Sequence, residues 1–165
     1  MIKASNISFS FKEFDTIAEL GSQDRELLIS AREAAMNAYA PYSGYKVGAA
    51  VRLESGKIVK GTNVENAAFP SGICAERSAL SNVSSNYPGD NPVTIALAAM
   101  TEAGLTNEPV SPCGNCRQVI VEEEIRSGKS IRIILSSKNK IQVIEKGGDL
   151  LPLQFSRNNL PVNPC

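Results

Sequence analysis

The stretch Val93-Thr94-Ile95-Ala96-Leu97-Ala98-Ala99-Met100 contains a single polar side chain. A run that is apolar on both faces is typical of a strand buried in a sheet that helices cover on both sides. Four other segments are predicted as strands from their β-rich composition, and the first two are joined as a hairpin at Ser55-Gly56. These segments are residues 46–54, 57–64, 131–135 and 141–144.

Helices are predicted over residues 22–39, with Ser22 as the N-cap, from about residue 73 to 86, and from about residue 113 to 126. The order of elements implies one α/β domain over residues 22–165, with a mixed sheet of about five strands between helical layers. Residues 1–21 are expected to be an N-terminal extension. Their alternating Ile7, Phe9 and Phe11 predict a short half-buried strand, either an edge strand or an arm on a neighbouring chain.

Charge and composition exclude several classes of function. Seventeen Lys and Arg balance seventeen Asp and Glu, whereas a protein that grips a nucleic acid normally carries a basic excess, so no nucleic-acid partner is expected. The chain has no histidine. A Ser-His-Asp triad, a Cys-His pair and every imidazole-ligated zinc site are therefore excluded, and acid–base chemistry must use carboxylates, Lys, Tyr or Cys.

The sequence shows neither an export signal nor a membrane span. Its longest apolar run, residues 95–100, is far too short to cross a bilayer. We therefore expect a cytoplasmic protein without a membrane partner. Closely spaced cysteines in that compartment are read as metal ligands or redox groups rather than as disulfides.

Two cysteine motifs lie where loops are predicted to enter helices: Cys74-Ala75-Glu76-Arg77 and Pro112-Cys113-Gly114-Asn115-Cys116-Arg117. Backbone N–H groups and the dipole at a helix N-terminus favour the thiolate. Cys113 and Cys116 project to one side of a helical turn, and Cys74 can supply a third sulfur. Three protein ligands with a fourth position for water are typical of catalytic zinc, so one such Zn²⁺ per chain is predicted.

Charged residues flank these cysteines. Glu76 can face the metal without binding it and take a proton from the bound water. Arg77 and Arg117 are expected to offset the negative charge of the thiolates by donating hydrogen bonds to sulfur.

Other interpretations of the cysteines remain open. Cys113-Gly114-Asn115-Cys116 also resembles a thioredoxin-type redox pair, although such a pair normally follows a strand directly. A structural zinc site would need a fourth ligand, and Cys165, behind two prolines, is a poor candidate. A zinc-ribbon-like binding module is the alternative from a non-enzymatic class.

The chain resembles the small homotetrameric zinc-dependent cytidine deaminases, with similarity over about residues 22–155. Cys-Ala-Glu followed by Pro-Cys-x-x-Cys is the all-cysteine form of the zinc deaminase signature. Four further stretches also match, namely residues 40–50, 63–70, 111–119 and 150–152. The resemblance implies the three-layer α/β/α fold of that family and catalysis by Glu76.

The resemblance also implies roles for residues outside the two cysteine motifs. Asn63 and Glu65 match the family's ribose-binding pair, which bonds the sugar 3′-hydroxyl, and the backbone at Ala75 helps to hold the base. Tyr45 stands where a phenylalanine usually stacks near the pyrimidine, and Phe69 replaces a usual tyrosine. Positions that enter neighbouring subunits' sites in the family correspond here to Ala67, Phe69 and Phe155.

The function implied is hydrolytic deamination of cytidine and deoxycytidine to uridine and deoxyuridine, with release of ammonia, in pyrimidine salvage. The implied partners are the nucleoside substrate and three further copies of the chain. Within the enzyme class, the alternative is a deaminase of another aminopyrimidine or of a related antibiotic nucleoside.

Overall fold

The computed structural model describes residues 2–161, which form three α-helices and seven strands. Every helix in this range is too short or too polar to cross a membrane. In chain order the elements are β1 (Lys12–Phe14), α1 (Ser22–Met36), β2 (Lys46–Leu53), β3 (Ile58–Thr62), α2 (Ala75–Asn86), β4 (Pro92–Thr101), β5 (Gly104–Leu105), α3 (Gly114–Ser127), β6 (Arg132–Ser136) and β7 (Ile141–Ile144).

The strands of the described residues form one mixed sheet in the order β1-β7-β6-β4-β2-β3, with β5 paired to β4. Strands β4 and β6 are parallel, and all other pairs are antiparallel. The predicted number of about five strands is therefore too low. The two additional strands, β1 and β5, have three and two residues, which is too short for a period of two to be visible in the sequence.

The N-terminal strand lies later in the chain than predicted. Residues 7–11 form no strand, and the side chains of Ile7, Phe9 and Phe11 are exposed. Residues Lys12–Phe14 instead pair with β7 as the edge strand β1. Alternating apolar residues favour a strand only where a core or a partner strand receives one face, and the described chain offers neither to residues 7–11.

Helix α1 differs from its prediction at both ends. Gly21 is the N-cap and Ser22 is the first helical residue. The helix ends at Met36 rather than Tyr39 because the Tyr39 N–H donates to the carbonyl oxygen of Asn63, and Tyr39 pairs with Val64 across a β-bridge. Pairing with the chain beyond β3 therefore overrides the helical preference of these residues.

Successive side chains of the sheet point alternately into two apolar layers, one on each face, which confirms the three-layer architecture. On β4, Ile95 and Leu97 pack with α2 and α3, whereas Ala96 and Ala98 pack with α1. The alanines on the α1 side allow that helix to lie close to the sheet. The two layers bury both faces of β4, as its continuous apolar run predicts.

Two glycines let helices approach the sheet at backbone distance. A Cβ built on Gly48 would lie 2.1 Å from the carbonyl oxygen of Ala31 on α1. A Cβ on Gly61 would lie 2.4 Å from the backbone nitrogen of Ala79 and 2.6 Å from the carbonyl oxygen of Ala75, both on α2. Gly61 therefore sets the distance between β3 and the first turn of α2.

Replacing Gly61 by alanine is expected to lower the free energy of unfolding by about 1–3 kcal/mol, the usual cost of overpacking. The new methyl group would meet helix backbone rather than a movable side chain. Lys60→Ala, which changes the exposed neighbour on β3, is the matched control and should cost less than about 1 kcal/mol. Equal denaturant midpoints for Gly61→Ala and the unmodified chain would contradict this packing.

Candidate functional site

The N-termini of α2 and α3 meet because of the parallel pairing in the sheet. Helix α2 leads into β4, and α3 leads into β6, and these two strands run in the same direction. Both helices pack on one face of the sheet, so each begins near the carboxyl ends of β4 and β6. Cys74 is the N-cap of α2, Cys113 is the N-cap of α3, and Cys116 lies in the first turn of α3.

The three thiols converge on one point. The Sγ atom of Cys113 lies 3.9 Å from that of Cys74 and 3.4 Å from that of Cys116. All three sulfurs lie within 4.8 Å of one another. Tetrahedral zinc–sulfur bonds of about 2.3 Å would place sulfurs about 3.8 Å apart. The donor set therefore suits one Zn²⁺ per chain.

The electrostatics of the thiols are those of a cation site. Burial raises the pKa of Cys74 and of Cys116, and neighbouring thiol and carboxyl groups add to the effect. Burial alone would also raise the pKa of Cys113. Hydrogen bonds from the backbone N–H groups of Cys116 and Asn115 help to hold that pKa below the usual value instead. Three thiolates this close together need a cation between them, and a divalent ion supplies the charge.

Glu76 is buried beside the thiols in the first turn of α2, with 5% of its surface exposed. Burial raises the pKa of its carboxyl group. The described residues offer it no ion pair, so its carboxyl group is free to exchange protons with a molecule beside it.

A cavity of about 630 Å³ opens beside Glu76. Seven of the residues that the sequence singles out line it, namely Asn63, Glu65, Phe69, Cys74, Ala75, Glu76 and Cys113. The other candidates do not line it, namely Tyr45, Ala67, Arg77, Cys116, Arg117 and Phe155. Phe155 instead lies in a separate groove with Gln118 and Leu160, and 58% of its surface is exposed.

Asn63 and Glu65 both make hydrogen bonds to the chain segment that leads into β2, and Asn63 also bonds the second residue of that strand. The Asn63 Oδ1 atom accepts from the Val47 N–H at 2.8 Å, and its Nδ2 atom donates to the Tyr45 carbonyl oxygen at 2.9 Å. The Glu65 carboxylate accepts hydrogen bonds from Tyr42 and Ser43. The residues matched to sugar binding therefore also hold one wall of the cavity.

The two arginines do not bond the thiols as expected. Arg117 donates from Nε to the carbonyl oxygen of Pro112 and from Nη1 to that of Leu150, and Arg77 is half-buried on α2. Neither arginine donates to a thiol within the described residues, where the sulfur of Cys113 contacts those of Cys74 and Cys116. Arg117 thus anchors the start of α3, because carbonyl oxygens are its nearest acceptors.

Sequence reasoning gave no role to several residues that line the cavity. Tyr42, Ser43, Val47, Ile73, Val110 and Ser111 do so. The available signal was their place within or next to the stretches that match the family. Tyr42 contacts Phe69 edge to face, with 5.9 Å between ring centroids, and this pair lies at the cavity.

The geometry also bears on the other interpretations of the cysteines. A thioredoxin-type pair directly follows a strand, but a loop of residues 106–113 separates β5 from α3. A redox pair of Cys113 and Cys116 would also leave Cys74 without a role, although its sulfur lies beside theirs. Cys165, the remaining candidate for a fourth ligand, lies outside the described residues.

Comparison with known proteins agrees with these features. Residues 21–129 match the family described as cytidine and deoxycytidylate deaminase zinc-binding region. The cytidine deaminase of Sporosarcina psychrophila is 36% identical over 82% of this chain and 93% of its own length. The crystal structure of cytidine deaminase from Burkholderia pseudomallei is 40% identical, with a TM-score of 0.66 over 79% of this chain and 97% of that one.

The crystal structure of cytidine deaminase from Mycobacterium tuberculosis is also similar. It is 31% identical, with a TM-score of 0.61 over 79% of this chain and 95% of that one. The family match covers strands β2 to β5 and both helices that carry the three thiols, and not the cysteine motifs alone. The chain therefore belongs to the cytidine and deoxycytidylate deaminase zinc-binding family.

Proposed function

We propose that this protein hydrolyses cytidine and deoxycytidine to uridine and deoxyuridine and releases ammonia. The observation that carries the proposal is the buried Glu76 carboxyl beside three convergent thiols, at the wall of a cavity of about 630 Å³. Small-molecule sites commonly enclose about 300–1,000 Å³. The three similar proteins named above are each called a cytidine deaminase, which supports the same activity.

Cys74, Cys113 and Cys116 are the residues that would hold the zinc ion. When bound, zinc supplies Lewis acidity that lowers the pKa of water. Glu76 takes a proton from the attacking water and delivers it to N3 of the base, while the water oxygen bonds to C4. Glu76 then carries the second proton to the 4-amino group. The C4–N bond breaks, and ammonia leaves.

Other residues would bind and orient the nucleoside. Asn63 and Glu65 face the cavity and are suited to hydrogen-bond the sugar, and the Ala75 backbone is suited to the base. Phe69 adds an aromatic face, and Tyr45 would stack near the pyrimidine. We also assign Arg77 and Arg117 a share in offsetting the thiolate charge, through the field of their guanidinium groups rather than through hydrogen bonds to sulfur.

We further propose a homotetramer with shared active sites. Three apolar side chains at the cavity of the single chain are exposed, namely Tyr42, Val64 and Phe69, and Phe69 has 75% of its surface in solvent. Such a cavity does not exclude water by itself. Neighbouring chains would complete it with Ala67, Phe69 and Phe155.

Residues 22–165 would form one catalytic domain, with residues 1–21 as an extension. The protein would act in the cytoplasm, where the thiols stay reduced.

The zinc assignment predicts a difference among the four cysteines. Cys74→Ser, Cys113→Ser and Cys116→Ser should each lower the zinc content of the purified protein well below one per chain, because each removes a thiolate ligand. Cys165→Ser is the matched control and should retain one zinc per chain with normal turnover. Atomic emission measures the metal. Loss of zinc from Cys165→Ser would contradict a three-thiolate site.

The proton-transfer role predicts that Glu76→Gln retains zinc and still binds cytidine. Its kcat should fall by at least about 10²–10⁴-fold, because the amide cannot carry protons. Glu102→Gln, at an exposed turn, is the control and should leave kcat unchanged. The loss of absorbance as cytidine is converted measures the rate. A near-normal kcat for Glu76→Gln would remove this residue from the mechanism.

The shared-site proposal predicts a particle with four times the 17.6 kDa mass of one chain by light scattering. Co-expression of the inactive variants Glu76→Gln and Phe155→Ala should restore part of the activity. Hybrid tetramers would contain some sites with an intact Glu76 and a neighbour's intact Phe155. A monomeric particle would overturn the proposal. So would confirmed hybrids that show no rescue when Phe155→Ala alone is inactive.

A further inference from the structure

The segment of residues 40–45, here called the strap, joins α1 to β2 along one wall of the cavity. Tyr42 and Ser43 on the strap line the cavity together with Glu65. The strap turns at Gly44, whose φ of +66° is left-handed, and the Gly44 N–H donates to the Ala40 carbonyl oxygen at 3.0 Å. The strap therefore has a defined conformation at the point where it meets Glu65.

Glu65 receives three hydrogen bonds from the strap. Its Oε2 atom accepts from the backbone N–H of Tyr42 at 2.9 Å and from that of Ser43 at 3.3 Å. Its Oε1 atom accepts from the Ser43 hydroxyl at 2.5 Å. The Ser43 hydroxyl is the main cause of a lowered Glu65 pKa, followed by the Tyr42 backbone N–H. The carboxylate is thus held ionised and in one orientation.

The Ser43 hydroxyl has its own orientation fixed by a neighbour. Its oxygen accepts a hydrogen bond from the Tyr45 N–H at 3.0 Å. A serine hydroxyl carries one proton and two lone pairs, so this contact occupies a lone pair and leaves the proton for Glu65. Of the four acceptor positions of a carboxylate, the strap fills three. The remaining acceptor position is on Oε1, the oxygen that the Ser43 hydroxyl holds.

We propose that Ser43 is a positioning residue whose hydroxyl holds the Glu65 carboxylate so that the free acceptor position on Oε1 receives the substrate's sugar hydroxyl. This inference rests on the proposed nucleoside deamination and names a specificity determinant for its sugar. Ser43 acts on Oε1 alone through its side chain, whereas the two backbone contacts to Oε2 do not depend on it. Removing the hydroxyl therefore takes away the strap's contact to Oε1, together with the acceptor of the Tyr45 N–H, and leaves both backbone contacts to Oε2.

Steady-state kinetics of Ser43→Ala on cytidine and on 3′-deoxycytidine test the proposal. The KM for cytidine should rise by about 5- to 20-fold, which corresponds to about 1–1.8 kcal/mol, because part of an oriented hydrogen bond to an ionised group is lost. The kcat should change by less than about threefold, since Glu76 and the thiols are untouched. On 3′-deoxycytidine, which lacks the hydroxyl, Ser43→Ala and the unmodified enzyme should have KM values within about twofold.

Two further variants separate positioning from stability. Ser43→Thr keeps the hydroxyl at an exposed position and should restore most of the affinity for cytidine. Ser81→Ala, an exposed serine on α2 outside the cavity, is the control and should leave both constants unchanged. Dissociation constants of uridine and 3′-deoxyuridine, measured by calorimetry, should show the same pattern as the KM values without turnover.

The outcomes distinguish the proposal from the function on which it rests. An equal rise in KM on both substrates, or no rescue by Ser43→Thr, would overturn the role of Ser43 and leave deamination intact. A zinc-loaded, unmodified protein that uses cytidine and 3′-deoxycytidine equally well would overturn the sugar contact of Glu65. A zinc-loaded protein that releases no ammonia from cytidine would overturn the proposed function, and the role of Ser43 with it.

Discussion

The rest of the site depends on the parallel pairing of β4 and β6, which brings three thiols together at the N-termini of two helices. Because β4 and β6 are parallel, the helices that lead into them begin at the same edge of the sheet, with Cys74 and Cys113 as their N-caps. The site therefore depends on how closely α2 packs on the sheet. Gly61, which a single methyl group would bring into conflict with the α2 backbone, links that packing to the position of Cys74.

Another wall of the cavity is built without a helix or strand of its own in the described chain. It is a segment between α1 and β2, held by the side chains of Asn63 and Glu65. These two polar residues have a structural task and a proposed binding task at once. Under the proposed function, the same two residues would shape the wall and bind the sugar, so a change in the strap is expected to alter substrate affinity.

Sequence reasoning succeeded where one local pattern carried both structure and chemistry. The cysteine spacing indicated helix starts and a metal at the same positions, and the structure brings those thiols together. It failed for β1 and β5, which are too short to show a period. It also missed the acceptors of Arg117 and the contact of Ser43 with Glu65, since partners distant in the sequence leave no local pattern. The role of Phe155 stays a prediction, because the active site to which it would contribute belongs to another chain.

X-ray absorption at the zinc edge of the purified protein tests the central claim most directly, because it counts the atoms bound to the metal. The account predicts three sulfur ligands at about 2.3 Å and one oxygen or nitrogen ligand at about 2.0 Å. Four sulfur ligands would contradict it, because the site would then be closed and structural. Fewer than three sulfur ligands would show that Cys74, Cys113 and Cys116 do not share one ion.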